Sequence, residues 1–543
     1  MIIRGQLVDL FQNRIYAAEV EFSESQIEAV RAISAEELPK DAPYILPGLV
    51  DAHVHVESSM LLPSEFARMA SCQGTVSSVS DPHEIANVLG IEGVRYMVRN
   101  GEKVPFKFWF GAPSCVPATS FETAGAELSP ADIRTLLEED DLPYLAEMMN
   151  FPGVLHEDPM VMEKIAIARS LGKPVDGHAP GMTGEEAKKY ASAGISTDHE
   201  CFSLEEALFK IECGMKILIR EGSAARNFEA LWPLLQSHPR QVMFCSDDKH
   251  PNDLEKGHLN QLLSRAVAKG IDPLVAIAAA SRNVVEHYGM PVGLLREGDP
   301  ADLVLVRDLD SFKVLQTWID GNLVAEAGKA LIEPVAEEAI NKFEASPLLP
   351  AQLQVPRDGS KLRTIEVFDG ELVTGTRWID LPETEFIEPD PAQDLAKLVV
   401  LNRYRPAPPA IAFVSAFGLK HGALASTVAH DSHNIIAIGM DDQSICRAVE
   451  ALIECKGGLS LVDGTETETL PLPVAGLLST EDAWTVAAKY DRLDKMSRAL
   501  GSPLGAPYMT LSFLALLVIP KLKLSDLGLF DGGRFEFVGQ TEN

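Results

Sequence analysis

The chain has 543 residues, with 47 Lys+Arg against 79 Asp+Glu, 13 His and 7 Cys. A hydrophobic share of 46% and a charged share of 23% give a globular composition with ample material for a core, which excludes disorder, a collagen and a coiled coil. The formal charge of −32 leaves no broad cationic face for phosphate backbones or anionic lipid, so neither nucleic acid nor a membrane is an expected partner.

At about 150 residues per domain, the length predicts three to four domains. Seven Cys, an odd number without a CxxC pair, do not read as a disulfide framework. The N-terminal stretch lacks the apolar core and cleavage site of a signal peptide. The longest apolar run, Met509 to Ile519, ends at Pro520 and is too short to span a bilayer. A soluble cytoplasmic protein is expected.

Residues 1–46 alternate apolar and polar (Ile3, Leu7, Ile15, Val20, Phe22), with turn-like breaks at Gln12-Asn13 and Ser23-Glu24, which predicts short antiparallel strands. The same texture returns at 291–335, where GDPAD is a turn, LVLV a buried strand and DGN a hairpin signal. These two pieces are expected to form one small split β-sandwich domain. Between them, 47–290 alternates strands and helices. The strands are expected at Leu46–His55, Thr75–Ser80, Phe106–Gly111, Tyr144–Met148, Pro174–His178, Ile195–His199, Met215–Arg220 and Gln241–Ser246. Helical stretches fall at 63–73, 84–100, 130–139, 159–171, 184–193, 204–213, 224–237 and 256–269. That rhythm predicts an α/β fold of the (β/α)8 TIM-barrel type; a doubly wound sheet would want a GxGxxG turn after the first strand, and none follows Val54. Residues 336–543 form an additional α/β C-terminal domain, with helices near 443–455, 482–499 and 512–518 and Pro-bearing linkers at 345–356 and 382–391. The apolar stretch 508–519 is a candidate dimer contact.

In a barrel the chemistry sits where strands end in βα loops. Strand one ends in Asp51-Ala52-His53-Val54-His55, strand two in Asp81-Pro82-His83-Glu84, and strand four in Glu147. Strand five ends in Asp176-Gly177-His178, strand six in Asp198-His199-Glu200, strand seven in Arg220-Glu221-Gly222-Ser223 and strand eight in Asp247-Asp248-Lys249-His250. His53 and His55, two apart on a strand, share a face and can reach one cation. Alone, such a pair fits two satisfied core histidines equally well; with His178, His199 and Asp247 at other strand ends, a metal site is the better reading. Imidazoles and carboxylates without thiolate suit Zn, Fe or Mn in a catalytic, water-holding site. Glu147 offers the bridging anion that two neighbouring cations need; its alternative is a buried Glu paired with a cationic side chain. Asp247 can hold a metal and accept a proton. His430, Asp431 and His433, in AHDSHN, superficially resemble a metal motif but lie outside the barrel units, so structure or subunit contact is the preferred reading.

PGLVDAHVH with later His, His and Asp at strand ends resembles the metal-dependent amidohydrolase superfamily. The strings HVHVESSML, SDPHEIANVLG, AEMMNFPGV, DGHAPGMTG, REGSAARN and SDDKHP, with VAHDSHNI and VIPKLK near the C-terminus, are similar to the adenine deaminase family over most of the chain. The resemblance implies two divalent ions, Mn or Fe(II) with Zn as a further candidate. His53, His55 and Asp247 would hold the first, His178 and His199 the second, and Glu147, where many relatives carry a modified lysine, would bridge them. It implies hydrolytic deamination of adenine to hypoxanthine and ammonia, a purine salvage step, with adenine and water as the small-molecule partners beside a second copy of the chain in a homodimer. Asp247 would move protons, and Glu200, Glu221 or His83 would protonate the purine ring. Glu57, Glu221, Ser223 and Asp248 are candidate substrate contacts. Their alternatives are a plain helix cap for Gly222 and Ser223, a helix N-cap for Asp248 and packing at the first βα loop for Glu57, which suits it equally. The alternatives are a related amidohydrolase acting on another heterocyclic amine or cyclic amide, and a catalytically dead barrel, for which the strand ends would have to be eroded.

Overall fold

The computed structural model describes residues 1–542. Strands Ile2–Asp9, Arg14–Ser23 and Gln26–Ala32 form an antiparallel meander. Its turns place Asn13 and Glu24 at φ of 52° and 51°. Tyr44–Pro47 pairs parallel to the first strand and antiparallel to Leu303–Val306, which continues into Val314–Ile319, Asn322–Glu326 and Lys329–Ala330. One eight-stranded sheet thus unites both flanks of the middle section. Its apolar residues Leu7, Val20, Ile45 and Leu303 are buried, as alternation with one covered face requires.

Between these flanks run Leu49–Val54, Thr75–Ser80, Lys107–Phe110, Leu145–Met148, Val175–Gly177, Thr197–Asp198, Lys216–Arg220 and Val242–Cys245. The first three pair in parallel, as do the fourth with the fifth and the last three together. Hydrogen bonds carry the pairing across the gaps. Ala112 N donates to Tyr144 O and Ala146 N to Ala112 O, both at 2.9 Å, and Ser196 N donates to Val175 O at 2.9 Å. Asp247 N donates to His53 O at 2.9 Å, with a parallel bridge between Val54 and Asp247. Every residue of the first, second, fourth and eighth of these strands is buried, the mark of strands covered on both faces.

Helices lie between the strands, with local reasons for their ends. Asp158 caps Pro159–Ser170 by accepting from Met160 N and Val161 N, and Ser203 caps Leu204–Glu212. The expected helix 84–100 is broken at Gly90, whose φ of 62° ends His83–Leu89 before Ile91–Gly101 begins. The expected helix 224–237 shrinks to Phe228–Leu231 and Leu234–Ser237, with Pro233 between them.

Beyond residue 336 a nine-stranded sheet runs from Gly375–Asp380, beside Lys361–Glu366, to Glu466–Pro471 and is covered by Asp442–Cys455. Thr541–Glu542 joins it at Lys361–Leu362. Part of the stretch read as linker pairs instead, Val355–Pro356 with Phe386–Ile387. The helix expected at 512–518 is Pro507–Phe513, started by a proline that needs no amide partner in the first turn. The segment 508–519, expected as a dimer contact, packs inside its own chain, with Tyr508, Leu511, Leu514 and Leu517 buried. The seven cysteines are free, and among the described residues no helix is long and apolar enough to cross a membrane.

Candidate metal centre

The carboxyl ends of the parallel strands gather His53, His55, Glu147, His178, His199 and Asp247, each at most 8% exposed. His53 Nε2 and His55 Nε2 face one another at 3.1 Å, and both face Asp247 Oδ1, at 3.5 and 3.3 Å. Glu147 stands between two pairs of imidazoles. Its Oε1 is 3.2 Å from His55 Nε2 and 3.9 Å from His53 Nε2, while Oε2 is 2.8 Å from His178 Nδ1 and 3.3 Å from His199 Nε2. Several triads, including His53, His55 and Asp247 and also His53, Glu147 and His199, bring their ligand atoms within 4.8 Å of one another. Two imidazole nitrogens at hydrogen-bond distance can share only one proton between them, so a cation satisfies this donor set better than protons do. The set fits divalent ions of the Zn, Fe or Mn type.

A shell of ion pairs and hydrogen bonds holds these groups. Arg220, buried at the end of its strand, donates Nη1 to Asp247 Oδ2 at 2.6 Å and grips Glu200 through both oxygens, with Nη2 to Oε2 at 2.9 Å. Burial opposes charge on Asp247, yet Arg220 and the two histidines hold its carboxyl well below the usual range. Asp247 itself adopts a left-handed φ of 54°, kept by the hydrogen bonds of its N and O to the first strand. Asp51 ties the first strand to the eighth, accepting from Ser246 N at 3.0 Å and facing His258 Nε2 at 2.8 Å. His178 N donates to Tyr190 OH, whose hydroxyl donates to Met148 O at 2.6 Å.

The other sequence candidates divide. His83 places Nδ1 3.1 Å from Asp81 Oδ2 and 3.6 Å from Glu147 Oε1, with Nε2 3.5 Å from Glu84 Oε1. Burial disfavours its charge, but Asp81 and Glu84 hold the imidazolium form well above the ordinary histidine range. Glu200 and Asp248 line the same cavity, and Asp248 Oδ1 accepts from Ser58 Oγ. Glu57 lies behind it, accepting from Ile85 N at 3.2 Å, and burial pushes its carboxyl up to about 7. Glu221 and Ser223 turn away from the cavity, contrary to expectation. Glu221 is drawn outward by an ion pair with Arg265, and Ser223 Oγ accepts from His250 N at 2.9 Å while donating to Asp253 at 2.8 Å. Ser223 does not cap the helix that follows it either, since Phe228–Leu231 starts after Asn227.

The cavity residues that sequence reading missed, or in the case of His430 and Asp431 gave to structure or subunit contact, come from the C-terminal region. Leu372, His430, Asp431, Phe513, Leu516 and Ile519 roof the cavity. Glu84 binds His430 Nδ1 through one oxygen and His433 Nε2 through the other, and His430 stacks on Phe513 with ring centroids 4.3 Å apart. Asp431 Oδ2 is buried with no hydrogen-bond partner among the described residues. The AHDSHN string was the one available signal for this roof.

Residues 44–324 match the amidohydrolase family, and residues 371–536 match the adenine deaminase C-terminal domain. A protein named adenine deaminase from Salinibacter ruber (strain DSM 13855 / M31) is 54% identical over 539 residues, covering 99% of this chain and 98% of that one. One of the same name from Sulfurovum sp. (strain NBC37-1) is 52% identical over 539 residues, covering 99% of each. Another, from Methanosarcina barkeri (strain Fusaro / DSM 804), is 51% identical over 547 residues and covers 98% of each.

Proposed function

The chain belongs to the adenine deaminase family of amidohydrolases, and on that premise we propose how its residues divide the work of hydrolysing adenine to hypoxanthine and ammonia. The observation that carries the reading is Glu147, whose two oxygens each face one pair of imidazoles. His53, His55 and Asp247 would hold one divalent ion, His178 and His199 a second, and Glu147 would bridge them, with Mn or Fe(II) as the functional pair. Such ions, when bound, supply Lewis acidity and bring a water's proton loss near neutral pH. The ring of hydrogen-bonded parallel strands supports a (β/α)8 barrel at 47–290. The shared eight-stranded sheet supports a split domain from 1–46 and 291–335, and the separate nine-stranded sheet supports a third unit at 336–543.

The protein groups act on the proton inventory. Asp247 takes the proton that the attacking water loses and returns it to the amine leaving C6 as ammonia; Arg220 fixes the orientation of its carboxylate. A proton on the ring nitrogen beside C6 makes that carbon a better electrophile. His83 is assigned this role and regains its proton from the C6 hydroxyl as that becomes the carbonyl, because Asp81 and Glu84 keep its imidazole charged, whereas Glu200 is occupied at both oxygens by Arg220. Asp431 Oδ2 is assigned as acceptor for a purine N–H, which would satisfy an otherwise orphaned buried oxygen.

Protein loaded with Mn or Fe(II) is expected to release ammonia from adenine, with hypoxanthine as the only purine product; release from another heterocyclic amine and none from adenine overturns the reading. Asp431→Asn is expected to raise KM for adenine about tenfold with a smaller change in kcat, while metal content stays at the wild-type level. An unchanged KM removes Asp431 from substrate recognition.

A further inference from the structure

A second polar cavity, of about 250 Å³, lies behind the loop that carries Asp247, between the ends of Lys216–Arg220 and Val242–Cys245 and the helix Leu259–Ala268. Four cationic side chains line it, Arg226, Lys249, Lys256 and Arg265, against two carboxylates, Glu221 and Asp253. This excess runs against a chain whose formal charge is −32. Arg265 is paired with Glu221 and Glu229, and Lys256 with Asp253 at 3.2 Å. The other two cations have no carboxylate partner among the described residues. Arg226 reaches only the carbonyls of Gly222 and Ser223, at 2.9 and 3.2 Å. Lys249 is only 8% exposed and makes neither an ion pair nor a hydrogen bond among the described residues.

A buried ammonium without a partner is costly, because its lost hydration is replaced by nothing. Here it faces a cavity that opens to solvent beside exposed Arg226 and Lys256. We propose that this cavity is a binding site for a small phosphoryl dianion, with Lys249 as its buried anchor and Arg226 and Lys256 at its rim. Two unpaired cations match a double negative charge, and Arg226 adds a planar fork suited to phosphate oxygens. The volume lies below the ~300–1,000 Å³ of sites for drug-sized ligands, so the occupant is inorganic phosphate or a small phosphorylated metabolite. The site is separate from the metal centre and independent of the adenine reading. It is coupled to that centre's loop, since Ser223 N donates to Asp248 O at 2.8 Å.

Calorimetric titration of the metal-loaded full-length protein with inorganic phosphate and with ribose 5-phosphate, at low ionic strength, tests the assignment. Saturable binding of at least one is expected, unaffected by excess hypoxanthine. Equal affinity identifies the free ion as sufficient, and a preference for ribose 5-phosphate identifies a phosphorylated metabolite. Lys249→Met should weaken binding about tenfold or more, and the rim variants Arg226→Gln and Lys256→Gln about threefold each. The rim variants are at exposed positions and keep the test valid should Lys249→Met fold poorly. No saturable binding up to about 10 mM of either ligand, displacement by hypoxanthine, unchanged affinity in a folded Lys249→Met, or unchanged affinity in both rim variants would each overturn the proposal.

Discussion

Replacing Glu147 with Gln is expected to lower adenine turnover about a thousandfold or more and to drop bound metal from two ions towards one. The side chain keeps its size, so the change isolates charge and ligand type. In the folded protein one carboxylate oxygen faces His55 and the other faces His178 and His199. An amide offers one oxygen and one N–H2, and the N–H2 cannot be a ligand, so one side of the pair loses its shared anion. The remaining ion should sit with His53, His55 and Asp247, which form a complete triad without Glu147. Metal analysis and adenine turnover on the same preparation read both effects, and Glu147→Asp, which keeps the charge, should retain more metal than Glu147→Gln. Two bound ions with normal turnover would remove Glu147 from the bridge.

Arg220→Met should both unfold the protein at lower temperature and strongly reduce activity. Arg220 is buried and is the only cationic partner of Glu200 and Asp247 among the ion pairs of Lys and Arg with those two carboxylates. Removing it leaves two buried carboxylates short of a countercharge, a loss on the order of 3–5 kcal/mol. It also frees Asp247 to rotate out of the orientation that Arg220 fixes, the one the proposed proton transfers need. The stability loss should be larger in chelator-treated protein than in metal-loaded protein, because cations bound to the native state alone stabilise it by linkage and give Asp247 back a positive partner. Thermal unfolding with and without metal, alongside turnover, checks this. A melting temperature and turnover matching wild type would show that Arg220 is not needed for either task.

Much of the candidate site was legible along the chain because its candidate ligands sit at strand ends, and strand ends are marked locally. A run such as Leu49–Val54 is apolar throughout because both its faces are covered, and the polar residues that follow it stand out for that reason. Glu147 was recognisable in the same way, as a carboxylate at the end of the buried strand Leu145–Met148. Choices within a loop were harder. Glu221 and Ser223 belong to a segment that does follow a strand, yet an ion pair with Arg265 and a cap on His250 turn both outward. Neither Arg265 nor His250 is a periodic neighbour of the residue it binds, so no local pattern announces the turn. The grip of Arg220 on Glu200 and the place of Asp81 beside His83 likewise have no local signature.

The sequence by itself determined the alternation of strands and helices, the six ligand candidates and their chemistry, because side-chain direction along a strand and the donor types of His, Glu and Asp are local properties. Tertiary structure alone decided what closes the cavity and what lies behind it. Glu84 meets His430 across 346 positions of sequence, and Asp431, Phe513 and Leu516 reach the same cavity from a region read as remote from the chemistry. The burial of Lys249 without a side-chain partner among the described residues likewise has no local signature. Contacts over such separations follow from how whole sheets pack, and packing has no period that a single chain displays.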